Sequence, residues 1–262
     1  LTNPQLIHVF ADYGAEAPET TVSKALLQGQ FPGSAQIFSQ PGLQRGHVTT
    51  AAIFLQMVLP SFNPGTIHLC DISHNKLSPK APAPYLAAVS NNQWFMAPDN
   101  GFLPLVLQNQ EVTFYSLPTF MGIRQVIKDI YIPSLQTLIA DNFTPRFAEK
   151  ENPIKSMLFN PSYQNNFLRL VVVYNDAQGN AIFNLKRDEF ERMRNGRRIR
   201  ISVSSYRLEI DRMSESVFEV EQGYSAAVFG LGDFLQISMN AGSAKQYYGL
   251  VEGSVIMLEF ID

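Results

Sequence analysis

The strongest constraint on the fold of this chain is a change in its apolar pattern past the middle. Residues 1–143 alternate strand-like and helix-like segments, whereas residues 167–262 are almost entirely strand-like. Alternation of the first kind builds an α/β sheet with helices on both faces, and the second kind builds an all-β unit. In the first part, residues 6–10 read as a buried strand ending at Ala11-Asp12-Tyr13-Gly14. Residues 20–28 have helical spacing with Val22, Ala25 and Leu26 on one face. A second strand is expected over 35–38, then a helix over 48–59 halted by Pro60, and a third strand from 65 to 69. Residues 85–89 and 93–96 read as a hairpin, and a long helix covers about 122–141, with Pro133 at a kink or a boundary.

Residues 144–166 lack a pattern and are rich in Pro, Asn, Lys and Glu. The expected organisation is therefore an α/β domain over 1–150, a linker over 151–166 and a small β-barrel over 167–262. In the barrel, residues 167–174 and 181–185 are joined by the turn Gln178-Gly179-Asn180. Further strands are expected over 198–203, 216–220, 225–229, 234–239 and 254–260, with short helices near 186–194 and 242–248.

At 262 residues the chain can bury two moderate cores, and 45% apolar against 16% charged residues marks it as folded. A net charge of −3 gives no reason to expect nucleic acid as a partner. The basic run from Arg192 to Arg200 reads as a solvated helix end and strand edge. Cys70 is the one cysteine, so neither an internal disulfide nor a thiolate zinc cluster can form. The four histidines, His8, His47, His68 and His74, lack the spacing of a helical metal pair. No run of about 18 apolar residues is present, so no membrane partner is expected and a cytoplasmic location is the default.

Signatures of phosphate-binding loops, nucleophile elbows and zinc proteases are absent. What remains is a set of carboxylates and amides at strand ends: Asp12, Asp99, Asn100, Asp176, Asn180 and Asn240. A carboxylate there suits bidentate bonding to the vicinal hydroxyls of a ribose. Amides donate and accept, as a purine edge or an amino-acid head requires. Each one alone also reads as a turn former or a cap. The segment Trp94-Phe95-Met96-Ala97-Pro98-Asp99-Asn100-Gly101 is the clearest case, an aromatic strand delivered into a turn.

Taken in order, these segments resemble the S-adenosyl-L-methionine hydroxide adenosyltransferases, relatives of the fluorinase and chlorinase that act on the same substrate. Ala11-Asp12-Tyr13-Gly14 is similar to the family's T-D-F-G, and Ala97-Pro98-Asp99-Asn100-Gly101 is its A-P-D-N-G. Phe62 with Gly65-Thr66-Ile67-His68 resembles F-x-x-G-T-V-H, and Lys128-Asp129-Ile130-Tyr131-Ile132-Pro133 resembles R-D-I-F-A-P. In the barrel, Asp176-Ala177-Gln178-Gly179-Asn180 with Asn184 resembles D-x-F-G-N…T-N, and Asn240-Ala241-Gly242-Ser243-Ala244 resembles N-Q-G-S-A. The resemblance implies a homotrimer that binds S-adenosylmethionine, as substrate and not as cofactor, between the first domain of one subunit and the barrel of its neighbour. Asp12 would take the ribose hydroxyls, with Asn100, Asp176, Asn180 and Asn240 as further substrate contacts and Asn240 beside the adenine.

The implied reaction is displacement at C5′ by water, giving adenosine and methionine, with no metal. The family activates that water with an Asp-Arg-His set. Here the region reads Leu69-Cys70-Asp71-Ile72-Ser73-His74-Asn75-Lys76, and the family's T-F-H-G becomes Thr119-Phe120-Met121-Gly122. Asp71 is the catalytic candidate, with His74 and Lys76 either completing a replacement set or lying in a solvated loop. The alternative expectation is a non-catalytic member that binds a nucleoside or serves as a structural trimer.

Overall fold

Two sheets organise the chain, one in each of two compact units: Leu1–Gln56 with Pro60–Met157, and Leu158–Asp262 with Met57–Leu59. The computed structural model describes residues 4–39, 45–72, 84–108, 110–155, 161–203 and 208–262. The first unit runs β1 (Leu6–Ala11), α1 (Pro18–Gln30), β2 (Ala35–Ser39), α2 (Val48–Val58), β3 (Ile67–Asp71), β4 (Tyr85–Ser90) and β5 (Gln93–Pro98). It continues through α3 (Phe102–Val106), β6 (Thr113–Ser116) and α4 (Ile132–Ala140). The strand order is β2-β1-β3-β5-β4-β6, parallel from β2 to β5 and antiparallel where β4 pairs with β5 and β6.

Side chains alternate across this sheet, as the period of a strand dictates. Ile7, Val9, Ile67, Leu69, Trp94 and Met96 share one face with Leu27 of α1 and Leu135 and Leu138 of α4. On the other face Phe10 stacks between Phe54 of α2 and Phe102 of α3. Helices therefore cover both faces, as the alternating pattern requires.

The second face also carries a buried polar chain that crosses four strands. His8 Nδ1 lies 2.9 Å from His68 Nδ1, His8 Nε2 lies 2.8 Å from Ser39 Oγ, and His68 Nε2 lies 2.8 Å from Gln93 Oε1. Gln93 donates its amide to the Phe62 carbonyl at 3.1 Å, which turns Oε1 toward His68. His68 must then donate from Nε2 and accept at Nδ1, so His8 donates from Nδ1 and accepts the Ser39 hydroxyl at Nε2. Burial drives both rings neutral, His8 down to about 3 and His68 down to about 4, with His68 adding to the effect at His8.

The second unit runs β7 (Ser162–Gln164), β8 (Phe167–Asn175), β9 (Ala181–Lys186), α5 (Arg187–Arg194), β10 (Arg198–Val203) and β11 (Leu208–Ile210). Then follow β12 (Ser225–Phe229), β13 (Phe234–Met239), α6 (Ala244–Tyr248) and β14 (Val255–Ile261). All pairings are antiparallel in the order β11-β10-β14-β8-β9-β13-β12, with β7 beside β8. Met213 makes a bridge to Ala227 of β12, so the sheet comes close to closing into a barrel. Leu168, Leu170, Val172, Ile199 and Ile201 point inward while Phe167, Arg169, Arg198 and Arg200 point out.

Several local expectations differ from the structure. The buried face of α1 is Thr20, Ser23 and Leu27, while Val22 and Ala25 are exposed and Leu26 lies at the margin. Thr20 and Ser23 tolerate burial because Thr20 donates to the Gly14 carbonyl and Ser23 meets the Tyr13 hydroxyl. The long helix starts late, with a π-helical turn over Ile127–Tyr131 leading into α4. Asp129 fixes that start by accepting the N–H groups of Arg124 and Gln125, which hold its carboxyl below the usual range. Residues 216–220 are not a strand but a 3₁₀ turn over Val217–Glu219, capped by the Ser216 hydroxyl. Strands β6, β7 and β11 and helix α3 are additions.

Candidate functional site

The two carboxylates predicted for the first domain come together at the C-terminal ends of adjacent parallel strands. Ala11 of β1 stands in register with Asp71 of β3, so Asp12 follows directly beside it, its N–H 3.4 Å from the Asp71 carbonyl. Strand ends of this kind are where open parallel sheets present ligand-binding groups. Asp12 is buried and accepts the Gly46 N–H at Oδ2 at 2.7 Å, which ties the segment before α2 to the site. Asp71 is pushed up to about 7, chiefly by burial and then by the charge of Asp12, with Arg45 opposing and Glu19 adding to the rise.

Around this pair the phenols stay protonated. Tyr13 is pushed up to about 12, mainly by burial, and Tyr85 and Tyr131 are raised further, with the Asp71 charge contributing to both. Tyr131 donates to the Cys70 carbonyl at 2.8 Å and so holds β3 one residue before Asp71. The Cys70 thiol is fully buried and raised by burial, which makes it inert as a nucleophile. A carboxyl titrating near neutrality can take a proton from water and later release it.

The Asp99-Asn100-Gly101 turn is a brace for the site. Asn100 donates to the Ile72 carbonyl at 3.2 Å and accepts the Phe102 N–H at 3.1 Å, which starts α3. Gly101 takes φ 90°, the left-handed value that favours glycine there. Asp99 is buried, accepts the Ile154 N–H at 2.8 Å and lies 3.8 Å from Lys150 Nζ. His74 and Lys76, the candidate partners of Asp71, lie outside the described residues, as does Ser73.

In the second unit, Asn180 and Asn240 line one cleft of about 470 Å³, together with Gln178, Gln236, Phe218 and Met239. Asp176 is bonded to Asn180 twice, accepting its N–H at 2.9 Å and its side-chain amide at 2.7 Å. Gly179 between them has φ 80°, and a Cβ there would collide with Ser243 before α6. Asn240 donates its amide to the Val220 carbonyl at 2.7 Å, an anchoring bond that the sequence does not announce. Asn184 is likewise structural, accepting the Val171 N–H at 2.8 Å. A larger cleft of about 630 Å³ in the first unit, between Leu107 and Lys155, holds none of the predicted site residues. Among the described residues, no three His, Cys, Asp or Glu side chains gather as a metal cage.

An α/β unit followed by a nearly closed β-barrel is also the fold of two solved structures. A conserved protein of Thermotoga maritima superposes with a TM-score of 0.80 at 22% identity over 96% of this chain and 99% of that one. A conserved hypothetical protein of Thermus thermophilus gives 0.70 at 22% identity, over 99% and 100% of the two chains.

The N-terminal domain of the SAM hydroxide adenosyltransferases matches residues 7–133 and the C-terminal domain matches residues 170–257. The chain belongs to the SAM hydroxide adenosyltransferase family. A relative in Thermus thermophilus, an (R)-S-adenosyl-L-methionine hydrolase, is 25% identical over 96% of this chain and 98% of its own length. No helix among the described residues is long and apolar enough to cross a membrane.

Proposed function

We propose that the protein hydrolyses S-adenosylmethionine to adenosine and methionine. The observation that carries this reading is the Asp12–Asp71 pair, with the Asp71 carboxyl raised to about 7 at the end of β3. A water oxygen attacks C5′ and the C5′–S bond breaks. The bonding electron pair stays on sulfur as the neutral thioether of methionine, and Asp71 takes the proton that the water loses. A sulfonium is a good leaving group, so the protein's task is to align and desolvate the nucleophile. Asp12 takes the ribose hydroxyls, Asn180 and Asn240 serve the nucleoside from the barrel of a neighbouring subunit, as the family resemblance implies, and Asn100 and Asp176 act by bracing. The family resemblance supports a homotrimer as the working assembly.

Incubating the protein with S-adenosylmethionine and chromatographing for adenosine and methionine tests the reading. Binding of adenosine without turnover would select a nucleoside-binding protein instead. Asp12→Ala removes a charged acceptor worth about 1.5–3 kcal/mol per bond, so adenosine affinity should fall at least about ten-fold by calorimetry. Unchanged affinity would refute the role given to Asp12.

A further inference from the structure

Pro98 interrupts the hydrogen-bond ladder between β3 and β5 one residue before Asp71. The two strands pair in parallel with Ile67 opposite Trp94 and Leu69 opposite Met96, and the Trp94 N–H donates to the Thr66 carbonyl at 3.0 Å. Donors recur every second residue in such a ladder, so the one due at the Cys70 carbonyl belongs to residue 98. Proline has no N–H to give. The next donor, the Asp99 N–H, faces the other way and bonds the Pro84 carbonyl at 3.0 Å. A proline inside a sheet therefore leaves the facing carbonyl to find a partner elsewhere.

Tyr131 supplies that partner from outside the sheet. Its hydroxyl donates to the Cys70 carbonyl at 2.8 Å, and its ring is fully buried, edge-on to Tyr85. It ends the π-helical turn Ile127–Tyr131, a rare winding often found at functional sites. Among the described residues, Asp71 faces the charges of Asp12, Glu19 and Arg45 and the neutral groups of Tyr13, Tyr85, Tyr131 and Cys70. Burial is the chief cause of its raised carboxyl, so its setting depends on how firmly the end of β3 is held.

We propose that Tyr131 is a positioning residue for Asp71: its hydroxyl replaces the ladder donor that Pro98 lacks and keeps the end of β3, and with it the Asp71 carboxyl, sunk beside Asp12. This rests on the hydrolase reading only in making Asp71 the proton acceptor. Tyr131 acts through the backbone of β3 and touches no substrate.

Carbon NMR of aspartate-labelled protein tests the proposal without turnover, with the Asp71 signal assigned by its loss in Asp71→Asn. Tyr131→Phe keeps the ring and removes the donor. Water then reaches the freed Cys70 carbonyl, and the Asp71 midpoint should fall from about 7 by about one unit. The kcat for adenosine release should fall about ten-fold with KM nearly unchanged, since no substrate contact is lost. Adding Pro98→Ala to Tyr131→Phe returns an N–H to the ladder and should recover most of both effects. A Tyr131→Phe variant that melts lower but keeps the Asp71 midpoint, or a double variant that recovers neither effect, would overturn the proposal. If the wild-type protein releases no adenosine while the midpoint moves as expected, the hydrolase reading falls and the positioning role stands.

Discussion

Asp71→Asn should lower adenosine release by about a hundred- to ten-thousand-fold, the usual contribution of a positioned general base. The same change should leave the melting temperature unchanged or raise it. Burial and the charge of Asp12 both disfavour the ionised Asp71, so a neutral amide of the same shape removes a repulsion. Separation of rate from stability distinguishes a proton acceptor from a structural carboxyl. The pH profile gives a second check: with Asp71 raised to about 7, the wild-type rate should climb through neutral pH as the carboxylate forms. The climb should vanish from whatever activity Asp71→Asn retains.

The second large effect belongs to the buried chain of Ser39, His8, His68 and Gln93. His68→Ala opens a cavity and strands the His8 donor and the Gln93 acceptor, which together should cost about 3–5 kcal/mol at neutral pH. Urea denaturation should show it as a lower midpoint at an unchanged slope. The intact chain also sets the acid limit of the fold. His8 and His68 titrate at about 3 and about 4 when folded and near 6.5 when unfolded, so the unfolded chain binds more protons in the interval. Stability from these groups is full above pH 6.5 and is lost as pH falls toward their folded values. Asp71 works in the opposite sense between 3.8 and about 7, where the folded chain holds the extra proton. Two histidines outweigh one carboxyl, so wild-type stability should rise from about pH 4 to 6.5. A flat or falling curve there would show that the pair is not held neutral.

The sequence made the architecture legible where pattern is periodic. The alternation of residues 6–98 and the inward Leu168, Leu170 and Val172 follow from burial of one face or two. It misled where local polar bonds decide. Spacing grouped Val22, Ala25 and Leu26 on one face of α1 whereas Thr20 and Ser23 are the buried residues, and the apolar Val217 and Phe218 read as strand although the Ser216 cap winds them into a turn. At the site, Asp12 could be named from its strand-end position and Asp71 from the family resemblance, but their adjacency depends on the β1–β3 register. The His8–His68 contact was invisible for the same reason, since sixty residues separate two rings that one register brings together. Asn100, Asp176 and Asn240 were named as candidates from the sequence, and their bonds show turn-bracing work that no spacing rule reveals.

The measurement that bears most directly on the account is turnover of S-adenosylmethionine in water enriched in heavy oxygen, followed by mass analysis of the products. The account predicts equal amounts of adenosine and methionine, with one heavy oxygen at the adenosine 5′ hydroxyl and none in methionine. No release of adenosine, or adenosine without the label, would contradict it.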